Sequence, residues 1–218
     1  MEINWYGLSC FRIREGGATV ICDPYDKSIG SYLNKPRADI VTISHDQKGH
    51  NAIKQVAGDP RVLSGPGEYE TNGVFVTGVA TKHGTKAEGA PRERNIVYFF
   101  EMGDFTVGHM GDIGQMPKQA QFEDVQISEV DILIVPIGGG DTFDSTKAVD
   151  LIGMLEPMIV IPMHYQQEGM SAKWIGDLEA VDRFISELGV PAPEPQSTLK
   201  ISKSSLPEEM QIVLLKCE

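Results

Sequence analysis

Histidine, cysteine and basic side chains are all scarce in this chain of 218 residues, and each scarcity excludes something. Nineteen Lys and Arg stand against 31 Asp and Glu, a formal charge of −12 at pH 7. That charge repels phosphate backbones and anionic lipid, and no basic cluster offsets it, so nucleic acid and membrane surfaces are set aside as partners. Cys10, Cys22 and Cys217 make no CxxC or other ligand-like spacing, and an odd count fits buried thiols in a reducing cytosol better than a disulfide framework. No apolar run approaches a membrane span, and the opening MEINWYGLSC has neither the basic nor the apolar region of a signal peptide. The expectation is a cytoplasmic protein. Internal repeats and low-complexity tracts are also missing.

What is present suffices for a core. Hydrophobic residues make up 41% of the chain, enough for one domain over residues 1–218. The first hundred residues are short β-like runs punctuated by Gly, Pro and Asp, among them ATVICD, DIVTIS and GVFVTGVA. Two hairpins are expected, one turning at Gly16-Gly17 and one between Met102 and Asp104. Later, DILIVPIGGG and PMIVIPMHY read as strands, separated by a capped helix with Ala148, Leu151, Ile152 and Leu155 at helical spacing. A second helix is expected over SAKWIGDLEAVDRFISELGV, ending at Gly189, and a short one over NAIKQVAG after His50. Residues 82–95 read as a long polar loop over a cleft, and MQIVLLKC as a final strand. Strands first, then strands alternating with helices, predict an α/β fold of two packed sheets with helices outside.

The histidines are few but not scattered. His45 and His50 follow the run DIVTI, His83 follows VFVTGVAT, and His164 ends MIVIPM, while Asp23 ends ATVIC and Asp112 follows FTVGHMG. His45 and His50 cannot share a helical face, because five positions correspond to about 140° of rotation. A strand end and loop can present both. Taken singly, each of these residues is a surface or satisfied core side chain, and Asp23 before Pro24 is an Asx-type turn. Together they place metal-competent groups just beyond successive strands, whose ends converge on one edge in layered folds. His109 lies within a strand-like run and is read as packing or as a hydrogen-bonding neighbour of the site. Asp46, facing away from His45 on an extended segment, is left out.

Asp23-Pro24, SHDQKGH, His83, Gly111-Asp112 and the PMHY ending in His164 and Tyr165 resemble the metallo-β-lactamase-fold superfamily. The resemblance extends to its small zinc-dependent hydrolases, the branch that includes ascorbate-6-phosphate lactonase. It implies a four-layer αββα sandwich with a metal site at one edge between the sheets. Laid on residues 45–50, the family pattern His-x-His-x-Asp-His keeps His45 and His50, but Gln47 replaces a histidine and Gly49 replaces the aspartate. Two zinc ions would bring a charge of about +4 against few remaining anions, so one ion is favoured, zinc first, with iron or manganese as alternatives.

Five ligands are expected: His45, His50, His83, Asp112 and His164. One ligand set is His50, Asp112 and His164; the rival is His45, His83 and Asp112, completed by Gln47 or water. Asp23 would orient a ligand histidine, and Tyr165 would donate a hydrogen bond into the pocket. An ion held there lowers the pKa of its water and polarises a carbonyl or phosphoryl oxygen, which predicts hydrolysis of a small ester, lactone or phosphoester. Lys82, Lys86, Arg92 and Arg94 suit a small anionic substrate, although charges on a polar loop are more often simply solvated. The alternative is a metal-binding or inactive family member with a structural or regulatory role, because function resides in sites and not in folds. Apolar edge strands leave a homo-oligomer open.

Overall fold

The structure is a computed structural model that describes residues 1–29, 33–84, 94–123, 127, 129–167 and 178–218. Within these residues the strands form two sheets. The first has six strands: β1 (Glu2–Gly7), β2 (Cys10–Glu15), β3 (Ala18–Cys22), β4 (Ile40–Thr42), β5 (Arg61–Leu63) and β12 (Leu199–Lys200). Their order is β12-β1-β2-β3-β4-β5. The second has seven: β6 (Gly67–Thr71), β7 (Val74–Lys82), β8 (Arg94–Met102), β9 (Phe105–His109), β10 (Ile132–Pro136), β11 (Ile159–Met163) and β13 (Gln211–Ile212). These run in the order β13-β11-β10-β9-β8-β7-β6.

Both expected hairpins form. Gly16 and Gly17 take φ of 57° and 89°, the paired positive angles that join strands with matched twist, and Glu15 pairs with Ala18 across them. Met102 pairs with Phe105 across the second turn. All five residues of β10 and of β11 are buried, as parallel strands covered on both faces require. The crossover between them carries helix α2 (Ser145–Leu155), which follows the short α1 (Ala120–Glu123). Asp144 caps α2 by accepting Lys147 N at 2.9 Å, and Ala148, Leu151 and Ile152 turn inward.

One apolar cluster joins the sheets. Trp5, Phe11 and Ile13 of the first share it with Tyr98, Phe100 and Val107 of the second, and Leu151 and Phe184 extend the cluster into the helical layer. A smaller cluster of Leu8, Cys10, Tyr25, Ile29 and Val41 covers the outer face of the first sheet. The layers follow the αββα plan, but among the described residues the outer layer there consists of 3₁₀ turns. The helix expected over residues 51–58 is one such turn, Ile53–Gln55. Of the helix expected over residues 171–190, the described residues include α3 (Val181–Leu188), ended by Gly189 at φ 67°. Residues 178–180 before it are not helical: Glu179 is tied to Gly138 and Gln166 through its backbone, and residues 171–177 lie outside the described chain. Of the polar loop over residues 82–95, Lys82, Arg94 and Asn95 belong to strands, His83 and Gly84 follow β7, and 85–93 lie outside the described residues. The final strand is short, Gln211–Ile212, with isolated bridges at Leu215 and Cys217.

Candidate metal centre

The ends of β3, β4, β7, β9 and β11 meet at one edge between the sheets, and each delivers a polar side chain there. Asp23 follows β3, Ser44, His45 and His50 follow β4, His83 follows β7, Asp112 follows β9, and His164 follows β11. Asp112 Oδ2 is the hub. It lies 3.1 Å from His50 Nε2, 3.3 Å from His164 Nε2, and 3.8 Å from Nε2 of both His45 and His83. The rings are arranged around it, with centroids 4.3 Å apart for His45 and His50, 4.8 Å for His45 and His83, and 5.9 Å for His50 and His164. All five sequence-derived ligand residues are therefore brought together around one carboxylate oxygen.

The backbone is arranged to hold this geometry. His164 takes φ 53° and its N–H donates to Leu8 O at 3.2 Å, a strained conformation fixed from the β1–β2 turn. Gly138 passes so close that a Cβ there would lie 2.2 Å from His164 O. Gly111, at φ 54°, lets the chain approach within 2.4 Å of Ser44 Cβ, as measured from an added Cβ. Gly49, where the family motif carries aspartate, has φ 105°, a conformation open to glycine and costly for a branched residue.

Three further residues, Ser9, Asn95 and Ser44, support the hub and were not singled out by pattern. Ser9 Oγ donates to Asp112 Oδ1 at 2.8 Å and leaves Oδ2 for the histidines. The Asp112 N–H donates to Asn95 Oδ1 at 3.0 Å, while Asn95 Nδ2 donates to Thr81 Oγ1 and Met110 O. Ser44 donates to Asp23 through both its N–H, at 2.7 Å, and its hydroxyl, at 2.6 Å. The one available signal was a buried-type polar residue beside an apolar run, as with Asn95 ahead of IVYFF. Asp23 stands where expected, with Oδ2 3.3 Å from His50 Nδ1. His109 is also as expected, buried beside Phe11 with Nε2 2.8 Å from Ser9 O. Asp46 is exposed and accepts a hydrogen bond from Asn51. Tyr165 is placed in the core instead of reaching into a pocket: its ring centroid lies 5.1 Å from that of Trp5 and burial pushes its phenol pKa up.

The electrostatics favour a cation. Burial works against the charged form of Asp112, yet the facing His164 and His50 outweigh it and hold the carboxyl well below its ordinary range. Asp23 is lowered in the same way by its hydrogen bond to His50. Burial would lower the pKa of His50, but Asp112 and Asp23 push it up to about 10. His45, buried and next to that positive ring, is pushed down to about 4. Two carboxylates, Asp23 and Asp112, are thus buried in one pocket, a setting that calls for positive charge beside them.

The donors also fit a metal. His45 Nε2 is buried with no hydrogen-bond partner among the described residues, although it faces Asp112. Ligand atoms of His45, His50 and Asp112 lie within 4.8 Å of one another. Tetrahedral zinc with bonds of about 2.1 Å sets its donors about 3.4 Å apart, close to the separations seen here.

Residues 2–164 match the family model described as a beta-lactamase superfamily domain. A solved structure from Thermotoga maritima, described as a Zn-dependent hydrolase of the metallo-β-lactamase superfamily, is 32% identical with a TM-score of 0.78, covering 98% of this chain and 97% of that one. The UPF0173 protein of Pyrococcus abyssi is 28% identical over 192 residues, 78% of this chain and 85% of its own length. The UPF0173 metal-dependent hydrolase of Thermoplasma volcanium is 28% identical over 192 residues, 76% of this chain and 83% of its own. Two packed sheets, strand-end histidines around a shared aspartate, and a family match over most of its length place one conclusion beyond the individual residues: the chain belongs to the metallo-β-lactamase superfamily.

Proposed function

We propose that the protein is a metal-dependent hydrolase of a small ester, lactone or phosphoester, working with one divalent ion, zinc in the first instance. The observation that carries this reading is the convergence of four histidine Nε2 atoms on Asp112 Oδ2, at 3.1 to 3.8 Å. Asp112, His45 and His50 would hold the ion, with His83 and His164 on either flank. This regroups both ligand sets read from the sequence, since His45 and His50 came from different ones. When bound, such an ion lowers the pKa of a water and polarises the substrate's carbonyl or phosphoryl oxygen.

The chain's own groups do the rest. Asp23 fixes the ring of His50 from behind, Ser9 fixes Asp112, and the 3% to 6% exposure of His50, Asp112, His83 and His45 restricts bulk water. Hydrolysis consumes one water: its oxygen forms the new bond to carbon or phosphorus, the scissile C–O or P–O bond breaks, and the leaving oxygen takes a proton. His83, whose ring centroid lies 4.8 Å from that of His45, would move that proton when it does not bind the ion. Among the described residues no helix is long and apolar enough to cross a membrane. Action on a small molecule in the cytoplasm is part of the proposal.

Elemental analysis of purified protein tests it. We expect close to one equivalent of metal, lost in His45→Ala, His50→Ala and Asp112→Asn and reduced in His83→Ala and His164→Ala. Less than about a tenth of an equivalent under zinc-replete conditions would end the metal-dependent reading. Loss in His83→Ala but not in His50→Ala would instead select His45, His83 and Asp112. Gln47 and Gly49, which replace two motif ligands, favour a second reading: a metal-binding member without catalysis. Full metal content with no turnover of any ester, lactone or phosphoester would select it.

A further inference from the structure

Beside the metal centre lies a cavity of about 600 Å³, within the size range of small-molecule sites. His45 and Ser44 form its inner wall, so it opens onto the His45 side of the cluster. Ile43, Ile53 and Val62 line one side, and Arg94 stands at its edge.

Two features mark it as built for a ligand. Ile53 and Val62 are 38% and 39% exposed, so two of the five exposed large hydrophobic side chains among the described residues line this one cavity. Apolar surface gathered in a concave site gains free energy when a ligand covers it. The second feature is Arg94, the first residue of β8. It is exposed, and no carboxylate among the described residues forms a salt bridge with it. Its place is fixed by the fold. Arg94 pairs with Lys82, whose neighbour is His83, and its other neighbour is the fully buried Asn95 that holds the Asp112 backbone. A strand that positions the hub therefore also positions the guanidinium. Asp46, the carboxylate of the cavity wall, accepts Asn51 Nδ2 at 2.7 Å and is engaged with its own loop.

We infer that this cavity selects a small amphipathic anion, holding its carboxylate or phosphate at Arg94 and a short aliphatic body against Ile43, Ile53 and Val62, with the scissile group towards His45. The inference rests on the hydrolase reading only for that last clause. A planar guanidinium suits either anion through paired hydrogen bonds. The chain's charge of −12 disfavours polyanions, which limits the ligand to one local charge on a small body.

The test is calorimetric titration of zinc-loaded protein with hexanoate, pentyl phosphate and hexanol. Both anions, or one of them, should bind more tightly than hexanol, and the tighter one identifies the head group. Arg94→Gln should weaken anion binding about 10- to 100-fold, the range for a hydrogen bond to a charged group. Arg94→Lys should recover part of it, and Val62→Asn should weaken all three ligands. Equal anion binding by wild type and Arg94→Gln overturns the proposal, since an anion captured by the metal alone is indifferent to Arg94. Absence of binding to wild type at millimolar ligand also overturns it. Turnover is scored separately with the nitrophenyl esters of butyric acid and of the glutaric half-acid. If neither is hydrolysed while Arg94→Gln still weakens hexanoate, the hydrolase reading falls and the anion site stands. Should both be hydrolysed with equal kcat/KM, the hydrolase reading stands and the selectivity falls.

Discussion

Asp112 serves four imidazoles with one oxygen because Ser9 occupies the other. Removing that hydroxyl leaves every ligand in place but lets the carboxylate rotate. Ser9→Ala should therefore weaken zinc binding by about 10- to 100-fold, the usual cost of losing a partner behind a ligand, with little change in the melting temperature of chelated protein. Competition with a chromophoric chelator measures it. Gly111→Ala is expected to be harsher, because its Cβ would sit 2.4 Å from Ser44 Cβ and 2.6 Å from Asn95 Oδ1 at φ 54°. Strain of this kind costs about 1 to 3 kcal/mol, and both thermal stability and zinc content should fall. Gly49→Asp, which restores the family residue, should fail to create a second metal position because φ 105° does not suit aspartate. At this scale the convergence of the histidines and Asp112 was legible and the residues that support it were not. A histidine after a strand is visible in a string of letters; the closeness of Ser9 to Asp112, 103 positions apart, is a property of the packed sheets.

Among elements, legibility followed the strength of the apolar pattern. ILIVP and IVIPM could only be buried strands, and Asp144 ahead of a helical stripe marked a capped helix. Asp144→Ala should cost about 1 kcal/mol in a denaturant melt, with metal content unchanged. Strand β6, GEYET, was missed because four of its five residues are polar or glycine, although Asn72-Gly73 at its end is a hairpin signal, with φ of 52° and 73°. The helix read across residues 178–180 failed for a tertiary reason. Backbone bonds from Glu179 to Gly138 and from Gln166 to Glu179 hold that segment beside the GGG loop, and helical propensity yields to them. Gly84 and Gly114 show the same limit. Each would place a Cβ within 2.3 Å of backbone, of Asp141 and of Gly84 respectively, so Gly84 and Gly114 sit in contacts that no local pattern encodes.

For the whole molecule, candidate ligands drawn from four strand ends would make metal binding and folding one equilibrium. Zinc at a hundred times its dissociation constant should add about 2.7 kcal/mol of stability, seen as a rise in melting temperature that is absent in Asp112→Asn. A zinc-independent melting temperature in wild type would contradict this. The strand-end layout was legible as a whole because alternation of strand and turn survives without side-chain detail; which ligands share one ion was not, because that depends on tenths of an ångström. The bond from His164 N to Leu8 O has a last implication, joining a turn near the start of the chain to a ligand 156 positions later. During synthesis the early strands leave the ribosome long before their distant partner exists, so the nascent polypeptide has nothing complete to offer a cation. Full loading must wait until β11 has joined the fold, and a translation-arrested fragment ending before residue 164 should take up less zinc than residues 1–218.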